Sequence, residues 1–174
     1  MSHNTYDAPS RALLAVAAFT AACASPTLRV EVPPAAPAGT ATVFRAGVAE
    51  TDLTPPPGAP LFGYALLSGA AAAKGYRTRL KAHVIVLEGP TGGRFALVQV
   101  DLGAPSRLVH QLVAAQVSTL GIGPDRLILA ATHTHAGPGG FFENGFYNDF
   151  GAGWLGFDPT LTSFIASHIG TAIG

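Results

Sequence analysis

Two histidines one residue apart, His133 and His135, stand in the stretch Ala130-Ala131-Thr132-His133-Thr134-His135-Ala136-Gly137-Pro138-Gly139-Gly140. An imidazole can ligate a metal or work as a general acid or base. The pair could therefore share one metal ion, or one ring could bind metal while the other works on a substrate. The plainer alternative is two polar residues at a strand end. The apolar run Leu127 to Ala131 leads into the pair and a Gly/Pro cluster closes it, the pattern of a buried strand ending in a tight loop. Residues two apart on a strand point to the same side, so both rings are expected to project together. The glycines beyond them leave room for a ligand or another backbone to come close.

The elements that would position this pair follow from periodicity. Phe44 to Glu50 alternates weakly and suits a strand, stopped by Thr54-Pro55-Pro56-Pro57-Gly58. Leu61-Phe62-Gly63-Tyr64 and an alanine-rich loop, Ser68 to Gly75, come next; that loop reads equally as a short helix or a flap. Leu80 to Glu88 and Arg94 to Asp101 read as two strands of a β-hairpin around Pro90-Thr91-Gly92-Gly93. From Pro105 to Leu120 the apolar spacing becomes helical, with Pro105 near the first turn and Gly121 past the end. Strand, helix and strand imply a crossover, right-handed by the usual rule, that sets Leu127–Ala131 parallel to its predecessor. Asp101 and His133 would then lie at the carboxyl ends of neighbouring strands, where open α/β sheets bind ligands. The expected fold class is α/β: a mixed β-sheet with flanking helices, part of a larger domain.

Phe141 to Phe157 is dense in aromatics (Phe141, Phe142, Phe146, Tyr147, Phe150, Trp154, Phe157). They either plug a core gap or line an apolar entrance beside the histidines. Asp158 and Pro159 form an N-cap and first-position pair for a helix through Ile173. His83, His110 and His168 fall on a strand and two helices and read as surface or packing residues. The helical pattern still runs at Gly174, as if more chain followed.

The 174 residues are enough for one domain with a sizeable core. With 11% charged residues and zero net charge, a nucleic-acid surface or polybasic membrane patch is not indicated. The lone Cys23 excludes an intrachain disulfide. In residues 1–25, Arg11 precedes the apolar stretch Ala12–Ala22, the layout of a secretory signal. Thr20-Ala21-Ala22-Cys23 is similar to a lipobox, so Cys23 is a candidate for lipidation and a membrane anchor. An ordinary N-terminal helix is the alternative. Residues 26–42 read as a Pro/Ala-rich tether, with the folded part running over 43–174. Export follows: extracellular, periplasmic or outer-surface lipoprotein.

With these residues laid out, the chain resembles the N-terminal catalytic region of the neutral/alkaline non-lysosomal ceramidases. The resemblance rests on Ala46-Gly47-Val48-Ala49-Glu50-Thr51-Asp52-Leu53-Thr54, Phe62-Gly63-Tyr64, the Arg79–Glu88 strand, Val100-Asp101-Leu102-Gly103 and Ala131 to Gly140. Ala136 stands where the family usually has serine. The resemblance implies a zinc-dependent amidase that cleaves the N-acyl amide of ceramide. By residue-wise carry-over, His133 is the Zn2+ ligand, His135 the group that orients or polarises the scissile carbonyl, and Gly63 a backbone contact to substrate. It also implies further ligands (His, Glu and Tyr) and an immunoglobulin-like domain beyond Gly174, so that 174 residues alone would bind zinc weakly and lack activity. A related metalloamidase with another substrate is a variant of this expectation.

Other His-x-His enzymes fit less well. A metallo-β-lactamase-type site wants Asp-His close behind, where Gly137-Pro138 stands, and an amidohydrolase barrel wants many following βα units. The non-enzymatic alternative is a surface lipoprotein that binds a lipid or glycan.

Overall fold

Alternation of buried and exposed positions is strongest in Lys81–Glu88 and Arg94–Val100, and these form the two inner strands of a four-stranded sheet. The computed structural model describes residues 30–35, 43–64, 72–149 and 156–174. β1 (Arg45–Asp52) runs antiparallel to β2 (Lys81–Glu88), which pairs antiparallel with β3 (Arg94–Val100). β4 (Leu127–Ala131) lies parallel to β3, as the strand–helix–strand order requires. The sheet is mixed and helices flank it, so the expected fold class holds.

One sheet face carries Ala82, Val84, Ala96, Val98, Val100 and Leu127, all buried. Helix α1 (Arg107–Val117) and helix α3 (Pro159–Ile173) close this face with Val109, Val113, Val117, Ile165 and Ile169. Each such side chain contributes roughly 1.5–3 kcal/mol relative to its exposed state. The helices approach closely at Gly170, where a Cβ would meet Gln116 Oε1 at 2.1 Å.

The helix ends follow from capping chemistry. Ser106 caps α1, its hydroxyl accepting from Val109 N at 3.3 Å, and Pro105 stands just before it, near the first turn as expected. The helix tightens to a 3-10 turn over Ser118–Leu120 and stops at Gly121, whose φ of 80° suits a residue without a side chain. At α3 the expected cap is present: Asp158 Oδ1 accepts from Leu161 N at 2.9 Å and Pro159 opens the helix.

The signal and Cys23 expectations, residues 36–42 of the tether, residues 65–71, Phe150 and Trp154 all fall outside the described residues. Within residues 30–35, Val32 packs against the core. No described helix is long and apolar enough to cross a membrane.

Candidate functional site

Three segments meet at the carboxyl ends of β3 and β4: residues 60–64, 101–103 and 132–140. Thr132 N donates to Val100 O at 3.0 Å and carries the ladder one residue past β4. His133 then takes φ = 61°, the left-handed region that non-glycine residues seldom occupy. Such backbone persists only where surrounding contacts hold it, and it clusters at functional sites. The strand has therefore ended before the first histidine. Strand alternation is not what brings the rings together; the turn does, setting their centroids 5.2 Å apart at 75°.

His133 Nδ1 is hydrogen-bonded to the carbonyl of Gly103. A carbonyl can only accept, so Nδ1 carries the proton and Nε2 keeps its lone pair for a metal or a donor. That carbonyl is positioned by a close approach. Phe62 packs so tightly on Gly103 that a Cβ there would sit 1.9 Å from Phe62 Cδ1.

His135 has a separate frame. Its ring lies against Gly63, where a Cβ would come within 2.3 Å of Nδ1, and Gly63 itself has φ = 89°. Phe62 and Tyr64 meet the imidazole edge-on, with centroids at 6.0 and 6.1 Å. The 60–64 segment is fastened to the histidine loop by Phe62 N to Gly137 O at 3.0 Å and Gly139 N to Pro60 O at 2.9 Å. Gly137 in turn passes the 101–102 backbone, where a Cβ would lie 3.2 Å from Asp101 O. Each close crossing is made at a glycine.

Of the residues singled out from sequence, His133, His135 and Gly63 are thus brought together. Asp101 is at the expected sheet end, but its bonds are to β2: Oδ2 accepts from Lys81 N at 3.0 Å and its N–H donates to Lys81 O at 2.8 Å. His83 pairs with Glu50 at 3.3 Å; His110 donates to Leu127 O at 2.9 Å and His168 to Asp52 O at 2.8 Å. All three are structural, as expected. The Lys81 ammonium, 2.9 Å from Glu50, holds that carboxyl below its usual range, and the lysine is raised in return. Hydrogen bonds from Thr54 lower Asp52.

The support behind the loop was not legible in sequence. Phe141 and Phe142 are buried and stacked, so the first part of the aromatic segment is core. Asn148, on the short helix α2 (Gly145–Asp149), is buried; it accepts from Phe142 N at 3.0 Å and donates to Phe142 O at 2.8 Å. Ser106 Oγ reaches Phe141 O at 3.1 Å, and Glu143 accepts from Leu108 N at 3.3 Å at the start of α1. Phe146 and Tyr147 face outward. The core-plug reading holds for Phe141 and Phe142, while Phe146 and Tyr147 stand exposed beyond it. A cavity of about 200 Å3 opens beside the loop, lined by Leu61, Tyr76, Leu80, Ala136 and Pro138 among others.

Zinc, expected from the resemblance, fits the free Nε2 of His133. Among the described residues, however, no three His, Cys, Asp or Glu side chains converge to complete a metal site. A catalytic zinc takes about three protein ligands. His133 alone does not make up such a set.

The fold and the glycine-framed histidine pair define a partial α/β domain with a candidate site at one end of its mixed sheet. Residues 44–173 match the family model described as neutral/alkaline non-lysosomal ceramidase, N-terminal, and the chain belongs to that family. The neutral ceramidase of Pseudomonas aeruginosa (PAO1) is 35% identical over 109 residues, 60% of this chain and 16% of that protein. The neutral ceramidase of Drosophila melanogaster is 32% identical over 131 residues, 72% of this chain and 18% of that protein. The chain thus spans less than a fifth of these curated relatives. Among solved structures, the Pseudomonas aeruginosa neutral ceramidase superposes with a TM-score of 0.66 at 31% identity, covering 76% of this chain and 21% of that one. A ceramidase complexed with C2 gives 0.63 at 33%, covering 76% and 20%.

Proposed function

We infer that the chain is the N-terminal part of a zinc-dependent amidase that hydrolyses the N-acyl amide of ceramide to sphingosine and a fatty acid. The observation that carries this reading is His133: its Nδ1 proton is committed to Gly103 O, leaving Nε2 as a ligand, with a second imidazole 5.2 Å away. Carbonyl-fixed imidazoles are the usual form of a metal-ligating histidine. Family membership and the relatives named neutral ceramidase favour a sphingolipid amide over other amides.

In this reading His133 supplies one zinc ligand and the remaining ligands come from outside the described residues. Bound zinc supplies Lewis acidity, polarising an oxygen and lowering the pKa of water to about 7. His135, held in place by Gly63, Phe62 and Tyr64, faces the amide carbonyl and donates a hydrogen bond as charge builds on its oxygen. One well-placed donor of this kind contributes on the order of 3 kcal/mol. Water adds to the acyl carbon, the C–N bond breaks, and the departing amine takes up a proton. Gly63 gives the substrate close access to backbone. The cavity beside Leu61 and Pro138 takes an apolar segment of a lipid chain. Export through residues 1–25, with lipidation at Cys23, would place the enzyme where membrane lipids are substrates.

The test is zinc content and hydrolysis of a fluorescent ceramide, measured together on the product of the complete reading frame and on His133→Ala. Loss of both in the variant is the expected result. A wild-type protein without zinc would sink the catalytic reading, and zinc without ceramide hydrolysis would move the substrate elsewhere.

A further inference from the structure

One register row crosses all four strands on the sheet face opposite the helices. Val48 pairs with Ile85, Ile85 with Leu97, and Leu97 with Ile128. All four side chains are exposed, at 82, 40, 38 and 48%. Leu87 and Phe95 stand opposite each other in the neighbouring row and are only half-buried. An antiparallel sheet with one face in water alternates apolar with polar residues. Strands covered on both faces instead read as continuous apolar runs. Val84-Ile85-Val86-Leu87, Phe95-Ala96-Leu97-Val98 and Leu127-Ile128-Leu129 are of the second kind. A contiguous apolar row of this width marks an interface. Two residues further toward the histidines the same face turns polar on three strands, with Glu50, His83 and Gln99, and Ala130 completes the row.

We propose that this face is the inner surface of a second packed layer, and that its occupant is polypeptide from the remainder of the same catalytic domain. The relatives supply the argument for that occupant: their chains are about four times as long, since 109 and 131 matched residues of this 174-residue chain make up only 16 and 18% of them. Domains bury a two-sided apolar sheet between layers, and the helices among the described residues provide only one. The layer seats on Val48, Ile85, Leu97 and Ile128 and ends where the polar row begins, at the sheet end bearing His133 and His135. The inference concerns packing and stands apart from the chemistry proposed for the histidines.

Thiol accessibility tests it in the product of the complete reading frame, on a Cys23→Ser background. Leu97→Cys and Ile128→Cys report on the face, and Thr91→Cys in the exposed hairpin turn is the reference. The expected result is labelling by Ellman's reagent on the order of 100-fold slower at 97 and 128 than at 91, because reaction then requires local opening. Protection should be independent of protein concentration, and denaturant should equalise the three rates. Equal rates under native conditions would overturn the proposal. So would protection that vanishes on dilution as a dimer separates, which would make a second copy the occupant. Protection that appears only with phosphatidylcholine vesicles would overturn it too, by assigning the face to a lipid surface.

Discussion

Gly63→Ala is the substitution that separates the two histidines most sharply. The added Cβ would lie 2.3 Å from His135 Nδ1 and 2.4 Å from Cε1, whereas ordinary contact begins near 3.4 Å. The ring edge must retreat by about 1 Å, and a displacement of that size costs on the order of 100-fold in rate when the group acts at the reacting centre. That factor corresponds to about 2.7 kcal/mol of barrier. The backbone adds a second, independent effect: with φ at 89°, an L-residue at 63 is strained, at about 1–2 kcal/mol of stability. His133 rests on Gly103 and not on Gly63, so zinc content should not change. The assay compares kcat/KM on a fluorescent ceramide, zinc per chain and thermal midpoint in the complete gene product. Gly47→Ala is the control, because Gly47 has open space around it and no positive φ. A lowered midpoint with kcat/KM within about threefold of wild type would refute the role given to His135. Loss of zinc along with activity would refute the separate framing of the two rings.

Two further outcomes concern the supports. Asn148→Ala removes both partners of the Phe142 backbone, leaving a buried N–H and a buried C=O unpaired. At about 1–3 kcal/mol for each group, stability read from urea unfolding should fall by roughly 2–6 kcal/mol; a loss under about 0.5 kcal/mol would mean water replaces the side chain. Asp52 is lowered in the folded state by its Thr54 hydrogen bonds, so its contribution is present above the usual carboxylate pKa and is lost as pH falls through the lowered value. The side chain is 42% exposed, so the effect is under about 1 kcal/mol. Asp52→Asn, which keeps an acceptor for Thr54 N, should flatten that part of the acid stability profile, read from urea midpoints between about pH 5 and pH 2. An unchanged slope would show that other carboxylates carry it.

The elements legible in the sequence are those whose cause is local. The apolar runs of β2 and β3, the Asp158–Pro159 start of α3 and the Gly121 stop of α1 each depend on a few adjacent residues, and each lies where sequence pattern and capping place it. Ser106 shows the limit of this reading. Serine and proline side by side both announce a helix start, and only the hydrogen bond to Val109 N decides between them. The histidine pair was legible as a pair, but its geometry was not. No residue type near 133 signals a left-handed backbone, since that conformation is set by contacts with residues 30 positions away. The aromatic segment divides for the same reason. Phe142 and Phe146 look alike in sequence, yet Asn148 ties the first into the core and the second faces out.

The two imidazoles have different supports that share one residue. Gly103 O orients His133, Gly63 frames His135, and the Phe62 ring lies against both Gly103 and the edge of His135. Phe62 is held from behind by Phe142, 5.4 Å away, and through it by Asn148 and the start of α1. Rings set on a loop beyond the end of a ladder have no sheet hydrogen bonds to fix them. Here their place is taken by close approaches at Gly63 and Gly103 that any side chain would block, and by a tight backbone crossing at Gly137. That makes the glycines as much a part of the site as the histidines: each removes the Cβ that would otherwise separate a ring or a carbonyl from its neighbour. It also explains how His133 can be fully oriented although no three metal-binding side chains converge among the described residues. The orientation of His133 comes from Gly103 and Phe62, within this part of the domain, and does not depend on the other ligands being present.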